Sequence, residues 1–341
     1  MKKYILFVAI MGMAHLAVAQ DLADLFESNK YSVVTIYTEE VENAGTGDPR
    51  TFTSNEGLGS GVLIRDNMVL TASHVVASAD EIIVEFFDGE KILARTFRVS
   101  KLADVAVIKL ETAPSNAKIA VIGNSDETRI GEDIFVIGAP MGLPYSLSRG
   151  VISGRESENK ITGEGKILEF FQTDAAINTG NSGGPMFNYK GEVIGIVSSI
   201  LTRSGGFEGI GFAATSQVAR ELLNSRSSKY FGTEIVPLSY ELAKILNVPQ
   251  ESGWLIQHVV KESPAGQLGL KGGFRKVTID EEEILLGGDI ILQVDHIKIT
   301  DADSYFKVAE HLDRDESTVS HKIMILRGGD ILEFNWVSTG F

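Results

Sequence analysis

Short apolar stretches separated by turn residues dominate the chain between residues 57 and 214. They fall at 58–64, 68–70, 81–87, 92–98 and 104–110, and again at 133–139, 147–153, 167–172, 185–188, 191–198 and 209–214. Strands at that spacing, with no long helical period between them, predict an all-β barrel, and two such runs predict two barrels. Phe87-Asp88-Gly89-Glu90 reads as a hairpin turn, because Asp-Gly tolerates positive φ. Upstream, residues 22–29 read as a short helix with Leu22, Leu25 and Phe26 on one face, followed by a strand over 31–38. Residues 40–56 are rich in Gly, Asn, Asp and Thr, carry no apolar period, and read as a mobile loop. Ser216 to Leu223 is a helix with a serine at its start, closing this first unit.

Beyond the small polar segment Ser225-Arg226-Ser227-Ser228-Lys229 the pattern changes. Strands at 230–236, 253–260, 289–294, 320–327 and 331–337 alternate with helices at 239–247, 264–268 and 303–313, an α+β arrangement. Asp280-Glu281-Glu282-Glu283 reads as a solvated hairpin turn, not a metal site. At the other end, Met1-Lys2-Lys3, an apolar run and Ala17-Val18-Ala19 predict a cleavable signal peptide over 1–19, with Gln20 as the new terminus. The run is short for a bilayer and His15 interrupts it, so it does not read as an anchor. The expected division is a signal peptide over 1–19, a first domain over 20–224, a linker over 225–229 and a second domain over 230–341.

Charge and cysteine content narrow the classes of function. The 341 residues carry a formal charge of −15, and loss of Lys2 and Lys3 with the leader takes it to −17. Such a surface argues against nucleic-acid and anionic-membrane partners. The absence of cysteine excludes thiol catalysis and cysteine metal sites, and leaves a secreted fold to be held by core burial alone.

The candidate chemistry centres on Asn178-Thr179-Gly180-Asn181-Ser182-Gly183-Gly184-Pro185. A serine between glycines lets a carbonyl carbon approach and lets backbone N–H groups converge on one point. With Ser182 as nucleophile, the amides of Gly180 and Ser182 are the donors for an oxyanion hole. The segment also fits the G-x-S-x-G pattern of hydrolase nucleophile elbows, where the acid and the histidine follow the serine. Here one histidine of the mature chain precedes it, His74, in Val69-Leu70-Thr71-Ala72-Ser73-His74-Val75-Val76. Asp104 opens the apolar strand Val105-Ala106-Val107-Ile108, and a carboxylate there needs a partner such as an imidazole N–H. The order His, Asp, Ser is that of the two-barrel serine proteases.

With those stretches, Gly57-Leu58-Gly59-Ser60-Gly61-Val62-Leu63-Ile64 and Gly209-Ile210-Gly211-Phe212-Ala213, the sequence resembles the HtrA (Deg) family over residues 22 to 224. These are periplasmic proteases of trypsin fold that carry PDZ domains. The resemblance implies a mainly β chain, a trypsin-like double β-barrel followed by an α+β PDZ domain. It makes His74 the general base, Asp104 its orienter and Ser182 the nucleophile, with no cofactor and no metal. It builds the specificity pocket from Ala176, Ile177, Ser198, Ser199, Ile200 and Gly211, none charged, which suits small or medium aliphatic side chains. Digestive relatives carry an aspartate before the serine that pairs with a freed amino terminus. Asn181 cannot make that pair, so loop order or oligomer contacts replace zymogen cleavage. Ser252-Gly253-Trp254-Leu255-Ile256, Ser263-Pro264-Ala265 and Gly287-Gly288-Asp289-Ile290 resemble a bacterial PDZ domain. Its groove for carboxyl-terminal peptides is placed between Tyr230-Phe231-Gly232-Thr233 and helix 303–313. The implied function is periplasmic quality control, cleavage of unfolded or misfolded polypeptides by a homo-oligomer, a trimer or a multiple of one. The alternative is a peptide-binding chaperone or scaffold with latent protease activity.

Overall fold

The computed structural model describes residues 21–158, 168–200, 208–224, 230–279, 282–301, 303–314 and 319–338. The signal-peptide and linker expectations lie outside the described residues. Helix α1 (Leu22–Asn29) starts at Asp21, whose carboxylate accepts from the Ala23 amide at 3.3 Å. Its apolar face places Leu22, Leu25 and Phe26 against the core. Strands β1 (Val33–Asn43), β2 (Phe52–Arg65) and β3 (Met68–Thr71) follow, then the short helix α2 (Ser73–Val76). With β4 (Glu81–Glu85), β5 (Lys91–Ser100) and β6 (Val105–Leu110) they close a barrel in the order β1-β2-β3-β6-β5-β4. Inward-facing Val34, Ile36, Leu63, Val69, Val84 and Ile108 fill it. The β4–β5 hairpin turns at Asp88-Gly89, with Gly89 at φ +88.

The second barrel consists of β7 (Asp133–Gly138), β8 (Ser146–Glu158), β9 (Leu168–Thr173), β10 (Pro185–Asn188), β11 (Val193–Ile200) and β12 (Gly211–Thr215), in the order β10-β11-β12-β9-β8-β7. Helix α3 (Ser216–Asn224) then returns across both barrels. Its Val218, Ala219, Leu222 and Leu223 share one core with Val33 and Leu70 of the first barrel and Phe135 and Phe187 of the second. The Arg98 guanidinium, from β5, donates to the Leu222 and Leu223 carbonyls that the helix end leaves open. The two barrels are thereby fixed relative to each other, and the cleft between them is a rigid place for a site.

The carboxyl-terminal unit contains β13 (Thr233–Pro237), α4 (Tyr240–Ile245), β14 (Trp254–Val259), α5 (Pro264–Gln267), β15 (Arg275–Ile279), β16 (Glu282–Leu286), β17 (Ile290–Val294), β18 (Ile297–Lys298), α6 (Ser304–Arg314), β19 (Val319–Arg327) and β20 (Asp330–Ser338). One sheet runs β13-β14-β17-β19-β20, and β15 pairs with β16 as a separate hairpin. The fold is the expected one, two closed barrels followed by an α+β unit of PDZ type. The hairpin whose turn was expected over 280–283 is this β15–β16 pair, with residues 280 and 281 lying outside the described residues.

The loop expected over 40–56 is instead a ribbon. β1 and β2 stay paired out to Asn43 and Phe52, and only residues 44–51 turn. None of Glu39 to Asn43 or Phe52 to Glu56 is fully buried, so the ladder leaves no apolar alternation to read. Its tip is tied to the second unit, the Lys276 amide donating to Gly45 O and the Gly47 amide to Phe274 O, each at 3.0 Å.

Candidate active site

β3 ends at Thr71 and α2 begins at Ser73, so His74 stands in the first turn of a four-residue helix at the barrel rim. Asp104 precedes β6 in a left-handed conformation, φ +50, which aspartate tolerates better than most residues. That turn aims its carboxylate back at α2. Oδ2 accepts from His74 Nδ1 at 2.8 Å and from Ser198 Oγ at 2.5 Å. Oδ1 accepts from the His74 amide at 3.0 Å and from Ser73 Oγ at 2.9 Å. Burial pushes the Asp104 carboxyl up, but the His74 imidazole and the Ser198 hydroxyl outweigh it and hold the group below its ordinary range. An ionised carboxylate fixes the proton of His74 on Nδ1 and leaves Nε2 free to accept.

Ser182 sits on the turn between β9 and β10. Gly180 at φ +100 and Gly183 at φ +83 supply its left-handed residues. The Thr179 carbonyl accepts from the Met141 amide at 2.8 Å, and a trans peptide then turns the Gly180 N–H away from the 139–142 loop. Ser60 ties the pieces together. Its hydroxyl donates to Gly180 O at 2.6 Å and accepts from the Ala139 amide at 2.9 Å, while its amide donates to Ser182 O at 2.8 Å. A Cβ on Gly180 would lie 2.1 Å from Ala139 O. Gly180→Ala is therefore expected to displace the turn and lower kcat by a factor on the order of 10² to 10³, the effect of losing one oxyanion donor. Unchanged kcat, with circular dichroism confirming the fold, would remove Gly180 from the hole.

His74 and Ser182 line one cleft of about 560 Å³. In this structure the Ser182 hydroxyl donates to Ser198 O over 3.4 Å and is not bonded to His74. Hydrogen bonds between a catalytic nucleophile and its base are often long or unformed before substrate binds. Asn181 is buried, its Nδ2 donating to Ala176 O at 3.3 Å and its Oδ1 without a hydrogen-bond partner. An aspartate here would bury an unpaired charge, so the neutral amide is the residue this site accepts.

The expected pocket residues divide. Ile177 and Ser198 line the cleft, but Ala176 is exposed and neither it nor Gly211 is part of the lining. A Cβ on Gly211 would fall 2.6 Å from Ile177 Cδ1, so Ile177 fills the space beside Gly211. Ser198 has a second task unseen in the sequence, since its hydroxyl is on Asp104. The side chains of Ser199 and Ile200 lie outside the described residues.

Ser60, Ser73 and Glu40 were missed as site residues. The hydroxyls of Ser60 and Ser73 meet partners 120 and 31 residues away in the chain, and no spacing encodes that. Glu40 lines the outer cleft, where burial together with the Glu42 and Glu234 carboxylates raises its pKa from 4.5 to about 7, against a hydrogen bond with Ser78. The folded protein thus keeps a proton there that the unfolded chain releases. Stability from this group is full below pH 4.5 and lost as pH rises through about 7. Glu40→Gln is expected to raise Tm at about pH 8 and to match the wild type at about pH 4, and parallel Tm–pH curves would refute the assignment.

Of the four residues placed at the peptide groove, Tyr230 is engaged elsewhere. Its hydroxyl donates to Ala77 O of the first barrel at 2.9 Å, and burial, then Asp80 and Glu40, push its pKa up. Phe231 packs on Trp336 inside the second unit. Gly232, φ +82, must lack a side chain because a Cβ would strike Ser263 at 2.0 Å. Thr233 begins β13, an edge strand of the sheet.

The profile of the trypsin-like peptidase domain family matches residues 59–196. A protein named "Probable periplasmic serine endoprotease DegP-like" from Pseudomonas fulva is 36% identical over 244 residues, 69% of this chain and 50% of that protein. A protein of the same name from Hahella chejuensis is 37% identical with the same coverage. The chain thus spans about half the length of the curated relatives it matches. Among solved structures, the HtrA-type protease AlgW with a decapeptide aligns at a TM-score of 0.52 and 28% identity, covering 94% of this chain and 99% of that one. The same protease with a tripeptide aligns at a TM-score of 0.52 and 29% identity, covering 93% and 96%. Among the described residues no helix is long and apolar enough to cross a membrane.

Proposed function

The chain belongs to the HtrA family of trypsin-like serine proteases, and from that premise we propose that it is a periplasmic serine endopeptidase acting on unfolded or misfolded polypeptides. The observation that carries the reading is the Asp104 carboxylate, held ionised by its donors and bonded to His74 Nδ1 at 2.8 Å in the cleft that Ser182 also lines. Ser182 Oγ attacks the scissile carbonyl while His74 Nε2 takes its proton. The Gly180 and Ser182 amides receive the oxyanion, and the imidazolium returns the proton to the leaving amine. Water then repeats the sequence on the acyl-enzyme. The chemistry needs no metal and no cofactor.

Ile177 restricts the P1 side chain to small or medium aliphatic residues, which folded proteins bury and damaged ones expose. That preference gives quality control a physical basis. Two AlgW structures hold peptides, and for this chain we place a carboxyl-terminal peptide along β13, where an edge strand offers unpaired backbone groups. A trimer, or a multiple of one, is the assembly carried over from the family.

A second reading, a peptide-binding scaffold whose protease is latent, draws on the Ser182 hydroxyl resting on Ser198 O instead of His74. A fluorophosphonate probe and a casein digest separate the two. Labelling of Ser182 with cuts after Val, Ala, Ile or Leu is the expected result. Cuts after Lys or Arg would overturn the pocket, and neither labelling nor cleavage, with peptide ligands added, would favour the scaffold.

A further inference from the structure

Outside the cleft, the carboxyl-terminal unit gathers imidazoles around one carboxylate. His311 Nε2 from α6 and His321 Nδ1 from β19 each lie 2.8 Å from Asp295 Oδ2, in the turn between β17 and β18. These three donor atoms all fall within 4.8 Å of one another. The exposed ring of His296 stands edge-on to His311, centroids 4.7 Å apart. Asp295 is held firmly in a left-handed conformation, φ +51. Its amide donates to Lys322 O at 2.7 Å, its carbonyl accepts from Gln293 Nε2 at 2.5 Å, and its Oδ1 accepts from the Lys322 amide at 2.7 Å. The His321 ring is buried against Trp336, centroids 5.3 Å apart.

We propose that Asp295, His311 and His321 bind a divalent transition-metal cation of zinc type. Two imidazoles and a carboxylate, arriving from three separate elements, form the donor set of a His2Asp centre, and such nitrogen-rich sets select zinc, copper or nickel over magnesium and calcium. Tetrahedral zinc at ~2.0–2.1 Å from each donor sets the donors about 3.3 Å apart. The present 2.8 Å spacing must therefore open by about half an ångström. His311, a quarter exposed on its helix, has the room to move, and a pivot of the Asp295 carboxylate about its Cα–Cβ bond must open the His321 spacing by the same amount. The metal takes the place of the two N–H protons that now point at Oδ2. The Lys322 amide on Oδ1 is the outer support that orients a ligating carboxylate. The fourth position falls to water or to His296. No residue of the proteolytic cleft takes part, so the site stands whether or not the protease is active.

The test is titration of untagged mature protein, residues 20–341, with zinc chloride at neutral pH by calorimetry. One zinc per chain, at a Kd of about micromolar or tighter, is the expected result, and visible bands of tetrahedral cobalt should appear with the cobalt-substituted form. His321 is buried, so its replacement risks the fold. His311→Gln and Asp295→Asn serve instead, each expected to weaken zinc at least about tenfold with the fold intact by circular dichroism. No saturable zinc binding by the wild type, or equal affinity in both variants, overturns the proposal.

Discussion

Replacing Ser182 with alanine is expected to lower casein cleavage by about 10⁶ in kcat, to the edge of detection. In the proposed mechanism this hydroxyl is the atom that forms the acyl-enzyme. The amides of Gly180 and Ser182 survive the change because they are backbone, so a small residual rate from the oxyanion hole and substrate positioning remains. The fold should hardly notice. The single side-chain bond lost is the 3.4 Å contact to Ser198 O, and Ser60 still holds the turn through the Ser182 and Gly180 carbonyls. The expected result is a stable, substrate-binding, silent protein, read by initial rates beside a melting curve. A loss below about a hundredfold, with normal folding, would mean that another group performs the attack.

Much of this architecture is legible in the chain because strands that bury one face announce themselves. Val34, Ile36, Leu63, Val69 and Ile108 fall in short apolar runs bounded by turn residues that mark the first barrel, and the runs at 133–139 and 191–198 mark the second in the same way. His74, Asp104 and Ser182 were legible for another reason. Each stands in a short segment whose neighbours make sense only around it: small residues before the histidine, an apolar strand after the aspartate, glycines beside the serine. The 40–56 ribbon was hidden because its stability comes from backbone pairing and from its contacts with Lys276 and Phe274, which leave no mark on hydropathy. Ser60, Ser73 and the Asp104-facing hydroxyl of Ser198 were hidden because a serine's partner is chosen by topology, not by spacing. Asp295, His311 and His321 were hidden in the same way. Taken singly, each is an ordinary polar residue of a strand end, a helix or a sheet. Tyr230 shows the opposite failure, a motif position whose side chain the domain contact has claimed.

Asp104→Asn is expected to lower kcat by about 10⁴ with KM little changed. The reason lies in which of its four donors can reverse. The His74 amide is a backbone N–H that can only donate, and it faces Oδ1. Ser73 and Ser198 are hydroxyls that rotate and can accept. An asparagine must therefore keep its carbonyl oxygen toward the His74 amide, which turns its NH₂ toward His74 Nδ1. Nδ1 then has to accept, the imidazole proton shifts to Nε2, and the nitrogen facing the cleft can no longer take the Ser182 proton. Geometry is preserved and the tautomer is wrong. Stability carries a second, independent sign. Because the native carboxyl is held below its ordinary value, its contribution is present above the unfolded carboxyl's pKa and is lost as pH falls through the lower folded value. The wild type should melt above the variant near neutral pH, and the gap should close in acid. A kcat loss under about tenfold would leave Asp104 a structural carboxylate and move the orientation of His74 to the short helix that carries it.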